Sequence, residues 1–196
     1  MSPGPVSAGL VPLATERTTA ATDLLLALVV AAGMLRLRGA APPGWRRGIW
    51  LLALAAFGSS ALIGAAVHGL ALGGRIANVL WQALYLLLGV AVALFIAGAL
   101  ADWRGETVAR SRLPGLLIVA GLFYLATRLT GGDFRVFLVF EATALIFALA
   151  VYGTLGARGR AGAGTVAAAM ALSFAAGAAA VPGLLARLGV VSPGLR

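Results

Sequence analysis

The chain has 196 residues, 61% of them hydrophobic and only 11% charged, with a mean hydropathy of +1.01. A soluble domain carries roughly a quarter of its residues as Asp, Glu, Lys or Arg, so six acids and fifteen basic residues cannot solvate a globule this apolar. The composition excludes an ordinary soluble domain, and lipid is the solvent that fits.

Every basic residue is Arg, and the net charge is +9. These Arg sit singly or in pairs between apolar runs, with no basic face or recognition motif. Membrane topology explains them, and no nucleic-acid partner is expected. Cysteine is absent, which excludes disulfides and thiolate metal sites.

The expected fold is all-α, a polytopic transmembrane helix bundle with six predicted spans. Residues 1–17 read as a disordered N-terminal tail rich in Pro, Gly and Ser. The bundle covers 18–183, and 184–196 form a short C-terminal tail. Thr18 or Thr19 can cap the first helix, 18–35, and Asp23 suits the positive end of its dipole. Pro42-Pro43-Gly44 breaks the chain before the second helix, 48–70, whose early Trp50 reads as an interfacial anchor. After Gly73-Gly74-Arg75 the third helix, 76–101, is long enough to span roughly 30 Å of hydrocarbon. The fourth, 113–129, starts with Pro114 at a tolerated first-turn position. The fifth, 134–155, has an apolar run interrupted by Glu141, and the sixth, 162–181, ends at Pro182-Gly183. The connections after helices one, three and five hold four, three and two Arg, nine against six elsewhere. That bias puts the odd connections in the cytoplasm and the N-terminus outside, with the bilayer itself as the first partner.

The polar residues within the spans are few and unevenly placed. Asp23 lies near the outer start of helix one, and His68, the only histidine, near the outer end of helix two. Asn78 and Gln82 fall in the outer half of helix three. Glu141 lies roughly 8–10 Å into helix five from the same side, at about 1.5 Å per residue. All sit in one leaflet, and ionisable groups there need a partner or a task. A neutral imidazole can hold Zn²⁺ while its other nitrogen donates to a carboxylate, and Asp23 or Glu141 can ligate or act as general base. Alternatively His68 and Glu141 satisfy each other as a structural pair. Gln82, Asn78, Ser59 and Ser60 are interhelical hydrogen-bonders or substrate contacts. Trp81 and Tyr124 read as interfacial aromatics.

Thr22-Asp23-Leu24-Leu25, Gly64-Ala65-Ala66-Val67-His68-Gly69 and Trp81 together resemble a group of bacterial multi-pass membrane proteins. That group is similar in layout to the alkaline ceramidase/adiponectin-receptor (CREST) superfamily, seven-helix metal-dependent hydrolases with an outside N-terminus in the ceramidase branch. The resemblance implies a bacterial cytoplasmic membrane protein. It also implies Zn²⁺ held by a histidine at the end of helix two, here His68, and by a His-x-x-x-His pair on helix seven. Gly64 stands where a Ser is expected, Asn78 is a loose counterpart of an Asp, and the paired histidines have no counterpart. Either a seventh helix lies beyond this sequence, or this is a six-helix member without catalysis.

Two functions follow as expectations. In the first, a hydrolase acts on a lipid amide or ester, with His68 as metal ligand, Asp23 and Glu141 as catalytic carboxylates, and Gln82, Asn78 and Ser60 against the substrate. In the second, a non-enzymatic bundle binds a lipid or partner protein and the polar cluster is structural. A proton pathway would need polar residues through both leaflets, and the inner halves lack them.

Overall fold

The computed structural model describes residues 9–40 and 42–172, the side chain of residue 134 apart. The fold is all-α. The helices are α1 (Ala14–Ala40), α2 (Trp45–Gly69), α3 (Gly74–Arg104), α4 (Glu106–Leu129), α5 (Phe134–Ala157) and a shorter α6 (Ala163–Leu172). The first five are long and apolar enough to cross a membrane. The expected sixth span reaches beyond residue 172, and that part, like 1–8 and the tail 184–196, lies outside the described residues.

Two compact units divide the chain between Phe137 and Leu138. In the first, consecutive helices pack as antiparallel neighbours, α1 on α2, α2 on α3 and α3 on α4. Single residues set each register. A Cβ added to Gly58 would come within 3.0 Å of Val30 Cγ1, one on Gly98 within 2.7 Å of the Trp50 ring, and one on Gly89 within 3.2 Å of the Ala120 carbonyl oxygen. Lipid gives helices no hydrophobic reason to associate, so small residues that let backbones approach must supply the contact. The sequence places them inward: Ala53, Ala61, Ala91, Ala93, Ala97 and Gly98 are buried. The large residues Leu24, Leu28, Leu35, Ile118 and Leu122 face outward.

The second unit is built on one stripe of α5. Ala144, Ala148, Val151 and Leu155 recur at helical spacing and are buried, as is Ala163. The backbones of Gly156 and Gly164 approach so closely that a Cβ on Gly156 would lie 3.1 Å from Gly164 Cα. Gly159 and Gly162, both at positive φ, turn the chain between α5 and α6.

Several boundaries differ from those the sequence suggests, each for a local reason. α1 starts at Ala14 rather than 18, so the expected tail is shorter. Part of that tail is tied down: Leu10 forms an antiparallel bridge with Leu70, with Val11 N–H donating to Gly69 O at 3.1 Å and Ala71 N–H to Gly9 O at 2.8 Å. α3 continues to Arg104, and α4 begins at Glu106, well before Pro114. The charged segment 106–112 continues the helix, with Glu106 and Arg110 as an i,i+4 pair at 3.3 Å, and Pro114 lies inside α4 rather than in its first turn.

Gly105 alone joins α3 to α4, at φ 91° and ψ 163°. Only glycine enters that region readily. Gly105→Ala is expected to cost about 1–3 kcal/mol, since the strain has no other residue to spread over. The check is the thermal midpoint in neutral detergent; an unchanged midpoint would mean that the joint relaxes freely.

Candidate functional site at one end of the bundle

The start of α1, the end of α2, the start of α3 and the end of α4 lie at the same end of the first unit, because those helices alternate in direction. Glu16 and Asp23 are seven residues apart on α1, and Gly64 and His68 four apart on α2, so each pair shares a face. The two faces meet. Glu16 Oε2 lies 2.6 Å from His68 Nδ1. Asp23 lies over Gly64, its Oδ2 only 2.6 Å from where a Cβ on that glycine would stand. One step further, Ala20 fills the space beside Gly69. Gly64 thus leaves room for a carboxylate one turn from the imidazole.

A carboxylate accepts and cannot donate, so His68 Nδ1 donates to Glu16 and a neutral ring carries its lone pair on Nε2. The His68 side chain is 23% exposed and that of Glu16 39%, a half-open position rather than a sealed core. The Trp81 ring meets the imidazole edge-to-face, with centroids 5.2 Å apart. Tyr85, one turn along α3, stacks on Trp81 at 6.0 Å. Its hydroxyl donates to Gly132 O at 2.9 Å, which ties this aromatic wall to the turn after α4.

That turn is set by charge. Asp133 accepts from the Arg135 backbone N–H at 2.9 Å and from its guanidinium at 2.6 Å. These bonds, the side-chain one foremost, hold the Asp133 carboxyl below its usual range. A lowered folded-state value stabilises above the unfolded value, and the gain disappears as pH falls through the folded one. Acidification below about pH 4 is therefore expected to loosen the turn slightly, the Arg135 guanidinium that holds the carboxylate being largely exposed. Arg135→Ala should flatten that acid limb in a pH series of thermal midpoints; identical limbs in both chains would show that the turn is held otherwise.

The expected site residues separate. His68 and Asp23 come together, as their positions on helices one and two suggested. Ser60 is 3% exposed, and its hydroxyl donates to Phe57 O at 2.7 Å within its own helix, as a buried hydroxyl takes the nearest carbonyl. Asn78 is exposed. Gln82 shares the α3 face of Tyr85 and Gly89, and its Oε1 is buried with no hydrogen-bond donor. Glu141 is half-buried on α5, in the second unit. Glu16, by contrast, is not a candidate in the sequence reading, which gives it to the tail. Its seven-residue spacing from Asp23 is the one available signal.

Zinc asks for three or four donors. Among the described residues no group of three His, Cys, Asp or Glu side chains is placed to hold a metal. The donor set here, a His–Glu pair with one further carboxylate a turn away, does not fit Zn²⁺. It does fit a carboxylate-oriented base, or a seat for a cation beside aromatic faces.

Antiparallel membrane-length helices with an acid–imidazole–aromatic cluster at one end define the class: a helix-bundle protein built for the bilayer. Residues 18–187 match the family of unknown function DUF6962, and the chain belongs to that family. No curated protein and no solved structure matches it.

Proposed function

We propose that this protein resides in the membrane and binds the amine-bearing headgroup of a lipid at the Glu16–His68 end, without chemistry of its own. The observation that carries the reading is the 2.6 Å Glu16–His68 contact, half exposed and walled by Trp81. Two carboxylates, Glu16 and the nearby Asp23, stand against one imidazole in this corner. A cationic amine gains from both carboxylates and from the Trp81 face, the latter worth about 0.5–2 kcal/mol. The Arg-rich end then faces the cytoplasm, and the site looks into the outer leaflet.

The test uses the full chain in neutral detergent, with phosphatidylethanolamine and phosphatidylglycerol offered together and bound lipid counted by native mass spectrometry. Phosphatidylethanolamine should be retained preferentially, and Glu16→Gln or Trp81→Leu should each reduce that preference about fivefold, the equivalent of about 1 kcal/mol. Equal retention of the two lipids by the parent chain would refute the reading.

One observation favours a second reading, hydrolysis of a lipid amide or ester, the activity that the ceramidase resemblance implies. Glu16 engages Nδ1 rather than Nε2, the arrangement that prepares Nε2 to take a proton from water. Ser60, turned onto Phe57 O, is not the nucleophile, so water would attack directly. His68→Gln keeps a hydrogen bond to Glu16 and removes the base. Turnover of a short-chain amide or ester lipid by the parent chain, abolished in His68→Gln, would establish this reading over simple binding.

A further inference from the structure

We propose that the opposite end of the first unit is a docking surface for anionic phospholipid headgroups. α1 ends and α2 begins there, and α3 ends and α4 begins beside them. Seven Arg occupy these termini, against two acids, Asp102 and Glu106. Both acids are already engaged: Asp102 by Arg46, and Glu106 by Arg110 at 3.3 Å. Beyond these two ion pairs, Arg36, Arg38, Arg104 and Arg112 add four further guanidiniums to the same termini.

The contacts join these residues into one rim. Arg47 donates to the Arg38 carbonyl at 3.3 Å, so the α1 end touches the α2 start. The Arg46–Asp102 pair links that start to the end of α3. The Arg110 guanidinium lies 5.3 Å from the Trp45 ring centroid, which brings α4 to α2. Arg104 lies 4.1 Å over Trp103. Two indole rings at the level of the guanidiniums are what a headgroup layer selects.

Helix electrostatics does not account for all of these charges. Arg36, Arg38 and Arg104 suit the negative ends of α1 and α3. Arg46 and Arg47 stand in the first turn of α2, where the dipole is positive and no acid occurs. A cation there is repelled by its own helix, and an anion is attracted by both. Phosphate, with its several acceptor oxygens, matches guanidinium forks. In a protein whose flanks are apolar, the phosphate within reach is that of a lipid. Each basic side chain near an anionic surface contributes about 1 kcal/mol, about fivefold in affinity.

The full chain in neutral detergent is titrated with mixed micelles of phosphatidylglycerol or phosphatidylcholine, and the thermal midpoint and bound lipid are read together. Phosphatidylglycerol is expected to raise the midpoint and phosphatidylcholine not, with the rise weakened by salt. The triple variant R36A/R38A/R112A alters only exposed side chains and should bind phosphatidylglycerol on the order of a hundredfold more weakly. Its charge-preserving counterpart, R36K/R38K/R112K, should recover most of that loss. A control with R75A and R128A at the other end should bind as the parent does. The proposal is overturned if phosphatidylglycerol and phosphatidylcholine act alike or if the triple Ala variant binds undiminished. It is equally overturned if inorganic phosphate or a short DNA duplex reproduces the whole rise, since either would place a soluble anion on the rim. Failure here leaves the amine-headgroup reading untouched, because that site lies at the other end and is probed by Glu16→Gln.

Discussion

Gly98→Leu is expected to be the most damaging single substitution in the first unit. The Trp50 ring covers Gly98 so closely that a Cβ there would stand 2.7 Å from Cε2 and 2.8 Å from Cζ2. Both belong to the rigid fused ring of the indole, and they can retreat only if the whole ring moves. The ring cannot move cheaply, because Phe95 meets it edge-on at a centroid distance of 5.6 Å. Beneath it lies the cluster of Ile49, Ala53, Leu94 and Ala97. Overpacking of this kind costs about 1–3 kcal/mol and occasionally more, and here it also prises α2 from α3. We expect Gly98→Leu to lose monodispersity in size-exclusion chromatography, and Gly98→Ala to fold with a lowered thermal midpoint. Trp50→Ala should cost about 3–5 kcal/mol by leaving a cavity. The double variant W50L/G98A should recover part of what each single change loses, because the smaller side chain makes room for the added methyl. Additive losses would mean that the two residues do not share one packing contact.

The same pair shows where the sequence is legible. The first five membrane-length spans are legible in hydropathy, because lipid forces each one to be continuous and apolar. Trp50 could not be placed that way. An aromatic residue near the start of a span reads as an interfacial anchor, and only the glycine on another helix, 48 residues away, reveals it as an interhelical knob. Pairings between helices depend on register, and register here is set by glycine and alanine contacts that leave little periodic signal. The Glu16–His68 contact is hidden for the same reason, being made across 52 residues by an acid that hydropathy assigns to a tail. Asp23 and His68 were readable because an ionisable group in an apolar run stands out on its own. The partner of Ser60 is not legible in the sequence, since a Ser on a helix satisfies itself on the preceding turn as readily as it reaches a neighbour. The expected boundaries at 101 and 113 differ from the observed ones because charge ends a membrane span without ending a helix. α3 is 31 residues long, about 46 Å at 1.5 Å per residue, and so outruns the hydrocarbon.

Arg46→Met is expected to cost more than Asp102→Asn, although both break the same ion pair. The Asp102 side chain is 10% exposed, whereas that of Arg46 is 50% exposed. Removing Arg46 leaves a carboxylate in a poorly hydrated position without its guanidinium. Removing the charge on Asp102 leaves an Arg that water already reaches, on a stem long enough to move outward. A hydrogen bond to a charged group is worth about 1.5–3 kcal/mol, and the half exposure of Arg46 argues for the lower part of that range. We therefore expect Arg46→Met to lower stability by about 2 kcal/mol and Asp102→Asn by about 1 kcal/mol or less. The double variant R46M/D102L should lie closer to the parent than Arg46→Met does, since an apolar pair of similar volume carries no desolvation cost. Denaturation in neutral detergent at two salt concentrations separates the outcomes. The parent should be only weakly salt-sensitive in this respect, because a pair with one buried member is poorly screened. Equal losses from the two single variants would show that Asp102 is hydrated as well as Arg46 is, and that α2 and α3 are joined by packing at Gly98 and Trp50 rather than by charge.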